Sequence, residues 1–98
     1  MIGKRVPPNS DGWIDGILKP GEYAKVTNPR AIGHRAYEWH ACTPNGAYCN
    51  LGNHEVVEHE DGTITVSPSI KVSTSRDGGK TMIELWHGFL EHGVWRSC

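Results

Sequence analysis

Apolar and polar residues alternate most clearly on either side of Asp61-Gly62, within the stretch His54–Ile70. Asp-Gly between two alternating runs predicts a β-hairpin, because both residues tolerate the positive φ angles of a type I′ turn. A two-residue loop pairs Glu60 with Thr63, His59 with Ile64, Glu58 with Thr65 and Val57 with Val66. One face then carries His59, Ile64, Val57 and Val66, and a one-residue slip would turn this set toward water. Ser67-Pro68-Ser69 interrupts the pattern, since Pro68 cannot donate to a ladder and belongs at an edge or bulge.

The rest of the chain predicts short strands separated by turns. Residues 1–12 read as an extended N-terminal arm, with Pro7-Pro8 followed by the turn-forming Asn9–Gly12. Trp13, Ile14, Ile17 and Leu18 anchor that arm. Strands are expected over 22–26, 34–42, 47–51, 70–75, 81–90 and 94–96, with turns at Thr43–Gly46, Arg76–Gly79 and Glu91–Gly93. In 34–42, His34, Ala36, Glu38, His40 and Cys42 share one face, while Arg35, Tyr37, Trp39 and Ala41 take the core face. The run TMIELWHGFL is apolar on both faces, as suits a central strand covered on both sides. Together these predict a single all-β domain over residues 1–98, with about six to eight short antiparallel strands in a sandwich or partly open barrel.

Composition supports that class and narrows the partners. With 98 residues, 37 % of them hydrophobic, and one Phe, the core must lean on four Trp and three Tyr. Twelve Gly and six Pro leave little room for long helices. The formal charge of −1 gives no general attraction to nucleic acid or anionic lipid. No apolar run approaches the roughly 20 residues of a membrane span, and MIGKRVPPNSDG lacks the apolar segment of a signal peptide. A cytoplasmic protein is the expectation. Three cysteines, an odd number, argue against a fully paired disulfide framework.

Six histidines beside three cysteines raise the question of a metal. His40 and Cys42, two apart on a strand, project to one face, and Cys49 and His87 would complete a tetrahedral zinc site. His54 and Cys98 are further donors. The spacing contains neither a Cys-x-x-Cys knuckle nor a His-x-x-x-His pair, and buried thiols serve equally as small hydrophobes. Glu55, Glu58, Glu60 and Asp61 with His54 and His59 read as a wet polar rim rather than a pocket for acid–base work. Ser67 and Ser69 lack a Gly-x-Ser-x-Gly elbow, and nothing nearby in sequence marks a base for them. Trp39, Trp86 and Trp95 alternate as core residues. With His59, they are also the candidates for a binding patch whose indole N–H groups seek partners.

EHEDGTITVSPSI, followed by ELWHGFLEHGVWRSC, resembles a group of small phage and prophage proteins of unknown function that often carry the label "ammonia monooxygenase". The resemblance runs from about His40 to Cys98 and rests on Ser67-Pro68-Ser69-Ile70 and His87-Gly88-Phe89-Leu90-x-x-Gly93-Val94-Trp95. Many members carry a Cys-rich knuckle before the first element and a Cys-His pair before the last hairpin, which implies zinc in them. Here Cys42–Cys49 replaces the knuckle, and Trp86 stands before His87. A membrane monooxygenase needs spans and a defined copper site, and this sequence contains neither. The resemblance implies a phage-derived origin.

Three functions are therefore expected in order. The first is a non-enzymatic phage accessory protein that binds a host or phage protein in the cytoplasm of the infected bacterium, for example to inhibit a host-defence system. The second is a small module stabilised by structural zinc. The third is a small-ligand or nucleotide binder, or an enzyme, using His40, His54, His59 or His87.

Overall fold

A computed structural model describes residues 1–28, 38–75 and 77–98, and no helix occurs among them. The described strands are β1 (Lys4–Arg5), β2 (Glu22–Lys25), β3 (Trp39–Cys42), β4 (Tyr48–Asn50), β5 (Glu55–Glu58), β6 (Ile64–Ser67), β7 (Ile70–Ser75), β8 (Met82–Glu91) and β9 (Val94–Ser97). They form three open sheets, β1-β2-β3-β4, β5-β6 and β7-β8-β9, rather than a closed barrel. The all-β expectation holds. All pairs are antiparallel except β1 with β2, which run parallel. The expected strand over 34–42 is seen from Trp39 onward, and its part at 34–37 lies outside the described residues.

Each sheet turns one face to a shared core. Tyr23, Trp39 and Ala41 come from the first sheet, Ile64 and Val66 from the second, and Ile70, Trp86, Leu90 and Trp95 from the third. These residues alternate along their strands, so the period-2 pattern sets the buried face. A smaller cluster of Leu18, Ala24 and Cys42 lies apart from this core. Cys42 was expected on the outer face of its strand with His40, but it is buried there beneath Leu18.

The N-terminal run joins two of the sheets. Ile2 bridges Val94, and the Gly3 amide donates to the Gly93 carbonyl at 2.7 Å. Two residues later the run joins β2, with the Lys4 amide donating to Gly21 and the Val6 amide to Tyr23.

The central hairpin forms at the expected place with a different register. Glu58 pairs with Ile64, Val57 with Thr65 and Val56 with Val66. The His59 amide donates to Thr63, leaving a three-residue loop, Glu60-Asp61-Gly62, with Gly62 in the left-handed region at φ 85°. Val56 therefore shares the core face with Ile64 and Val66, while Val57 and His59 join Thr65 on the other.

The expectation that β8 is covered on both sides also needs correction. β9 pairs only with residues 88–91, and among the described strands the first half of β8 is hydrogen-bonded to β7 alone. Met82 and Leu85 are accordingly exposed. A bulge interrupts the β7–β8 ladder, where Val72 pairs with Trp86 but Ser73 with Glu84, leaving Leu85 as the extra residue.

Candidate functional site

The bulge decides which side chains meet on the outer face of the third sheet. The pairing of Ser75 with Met82, carried back without a bulge, would place Ser69 opposite Gly88, on the face of Trp86. The extra residue advances the ladder so that Ile70 opposes Gly88, which brings Ser69 onto the face of His87 and Phe89. There Ser69 Oγ and His87 Nε2 lie 3.0 Å apart. The other ring nitrogen of His87, Nδ1, lies 3.7 Å from Glu84 Oε1. From a second direction His54 Nε2 reaches the Ser69 carbonyl at 3.1 Å, donating to it. A groove of about 220 Å³ borders Ser69, lined by Thr65, Ser67, Pro68, Phe89 and Arg96 among others. Arg96 lies over the Phe89 ring and is held by Glu91 at 2.5 Å. Sequence reading found no base for Ser69, because the partner lies on another strand and across a bulge.

A second surface feature lies on the first sheet. Trp13, Ile14, Gly16, Val26, His40 and Tyr48 line a pocket of about 230 Å³. Trp13 is 41 % and Tyr48 51 % exposed, and Ile17, one residue beyond the pocket's Gly16, is 86 % exposed. Tyr48 Oη is hydrogen-bonded to His40 Nδ1, which fixes the phenol at the pocket wall. Trp13 is placed by Asn9, whose side-chain oxygen accepts from the Trp13 amide at 3.0 Å. A larger cavity, about 450 Å³ between β1 and the hairpin loop, is lined by Lys4, Arg5, Tyr23, Asp61 and Thr63 among others. Two of its charges are engaged by neighbours: Arg5 bonds Glu58 and the Gly62 carbonyl, and Asp61 accepts from Thr63.

The proposed zinc ligands are not brought together. His40 and Cys42 lie on one face of β3, but Cys49 pairs with Ala41 and packs on the main core from the opposite face. His87 belongs to the third sheet and bonds Ser69. Among the described residues no group of three or more His, Cys, Asp or Glu side chains is placed to hold a metal. Burial, and secondarily the neighbouring Cys42, pushes the Cys49 thiol up to about 11, and burial also raises that of Cys42. Among the described residues the expected ligands do not converge on a zinc site.

The tryptophan candidates are structural in position. Trp39, Trp86 and Trp95 are buried, with Trp86 and Trp95 in edge-to-face contact at 5.4 Å. Arg5 and Lys25 lie over Trp39 from outside, at 5.1 and 5.6 Å from the ring centre. His59 stacks on His92 with ring centres 3.8 Å apart, and its Nε2 bonds Thr65 Oγ1 at 2.7 Å. Among the described residues the exposed large aromatics are instead Trp13 and Tyr48. Comparison with known proteins finds no family model, no curated protein and no solved structure that matches this chain.

Proposed function

We propose that this chain is a small phage-derived accessory protein that acts by binding a protein partner. The phage origin rests on the resemblance of its Ser67–Ile70 and His87–Trp95 elements. The observation that carries the binding role is the pocket between Trp13 and Tyr48, flanked by the exposed Ile17. Trp and Tyr supply large contact area with few rotors to immobilise, and they dominate protein-binding hot spots. A pocket of about 230 Å³ with apolar walls takes one aliphatic or aromatic side chain from a partner's loop or strand. The formal charge of −1 favours such a partner over a polyanion. In an infected bacterium that partner is a host or phage protein, and a component of a host defence system is one such target.

The test compares the parent with Trp13→Ala/Tyr48→Ala as baits in a bacterial host lysate, followed by titration of any captured protein. A specific partner should lose roughly 30-fold or more in affinity for the double variant, as for truncation of a hot spot. A partner held equally by both baits would remove this pocket as the binding site.

A further inference from the structure

We propose that Ser69 is an activated nucleophile for acyl transfer from small activated esters, with His87 as its general base and Glu84 positioning His87. The separation of 3.0 Å between Ser69 Oγ and His87 Nε2 is within reach for the hydroxyl proton to pass to the imidazole. Transfer requires Nε2 to be the bare nitrogen and Nδ1 to carry the proton. Glu84, with Oε1 3.7 Å from Nδ1, favours that tautomer and steadies the imidazolium once it forms. The backbone beneath the nucleophile is held independently by the His54 bond to the Ser69 carbonyl. His54 Nδ1 is buried without a hydrogen-bond partner, so it is the bare nitrogen and Nε2 carries the proton that this bond uses.

The groove beside Ser69 gives the substrate a place to lie. Pro68 and the part of Phe89 not covered by Arg96 supply apolar walls, and the Arg96–Glu91 ion pair borders the groove. In the first half-reaction Ser69 Oγ attacks the ester carbonyl while its proton moves to His87 Nε2. The carbon–oxygen bond to the leaving group then breaks, and His87 returns the proton to the departing oxygen. Water repeats the sequence on the acyl-serine, releasing the carboxylic acid and restoring both side chains.

Ser67, exposed and two residues away, provides an internal reference. The full chain is treated with a fluorophosphonate probe, in which Ser Oγ forms a bond to phosphorus, fluoride leaves and the hydroxyl proton is taken up by the base. Adducts are located by peptide mass mapping, and p-nitrophenyl acetate turnover is followed in parallel. Ser69 should label at least about 10-fold faster than Ser67. His87→Gln keeps a polar neighbour for Ser69 and should lower labelling by about 100-fold without a change in melting temperature. Glu84→Gln should lower it by a smaller factor. Labelling of Ser69 no faster than Ser67, or parental labelling in a folded His87→Gln variant, would overturn the assignment.

Discussion

The indole N–H of Trp95 donates to the carbonyl of Gly21 at 2.9 Å, a buried bond between residues 74 positions apart. It ties β9 to the entry of β2, and Trp95 also meets Trp86 edge-on. Trp95→Phe keeps most of the ring and leaves the Gly21 carbonyl its bond from the Lys4 amide, so loss of the indole bond should lower stability by only about 1 kcal/mol. Trp95→Ala should cost roughly 3–5 kcal/mol, and Trp13→Ala, at the surface, much less. Urea unfolding of the three variants checks that order.

Gly88 and Gly46 should respond differently to the same substitution. A Cβ at Gly88 would lie 2.3 Å from the Arg96 carbonyl and 2.5 Å from the Trp86 ring. Gly88→Ala must therefore part β8 from β9 or displace Trp86, at about 3 kcal/mol. Gly46 has open space around it and only its φ of 91° to resist a side chain. Gly46→Ala should cost about 1 kcal/mol. Equal thermal shifts for the two would contradict the packing at Gly88.

Gly62 holds the left-handed position of the central loop, with nothing within 4 Å of a built Cβ. Gly62→Val should destabilise the fold by about 1–2 kcal/mol through backbone conformation alone, since a β-branched residue resists that region. Gly62→Asn, which tolerates positive φ, should recover most of the loss in urea melts.

Acid should weaken the contact between the hairpin and the first sheet. Hydrogen bonding to Arg5, and then to Lys25, holds the Glu58 carboxyl below its ordinary range. A lowered folded-state value means the unfolded chain binds the extra proton. Its stabilisation is therefore complete above about pH 4.5 and is lost as the pH falls through the folded-state value. The Glu58 side chain is 40 % exposed, so screening keeps the contribution under about 1 kcal/mol. Asp61, lowered by its bonds to Thr63, acts in the same direction. Urea midpoints of Glu58→Gln measured across the acid range should fall less steeply than those of the parent.

The three thiols should separate cleanly by reactivity. Cys98 is exposed, whereas Cys42 is buried and the Cys49 thiol is raised to about 11 by its surroundings. Iodoacetamide near pH 8 should modify Cys98 first, with Cys42 and Cys49 following only in denaturant. Peptide mapping of a time course reads this directly.

Fold class was legible because Gly and Pro punctuation and period-2 alternation are local signals. Asp61-Gly62 marked the central turn for the same reason. The loop length was not legible, since Asp-Gly serves both a two-residue turn and a three-residue loop ending in a left-handed glycine. That one residue carried Val57 and His59 to the outer face and Val56 to the core. The Ser69–His87 contact was hidden by the same arithmetic: a bulge at Leu85 shifts one strand past the other, and no residue type announces it. The pocket of Trp13 and Tyr48 joins segments 35 positions apart, beyond the reach of any periodic pattern. Trp39, Trp86 and Trp95 show that alternation identifies core tryptophans more readily than binding ones.

The seam between residues 1–3 and 93–95 sets an order on folding. Its hydrogen bonds join residues up to 94 positions apart, so they close a long loop. During synthesis the run that later links the third sheet to β2 has no partner in β9 until Trp95 leaves the ribosome. The hairpin β5-β6, with its short loop, is free to form earlier, whereas β8-β9 and the docking of the N-terminal run both wait on β9.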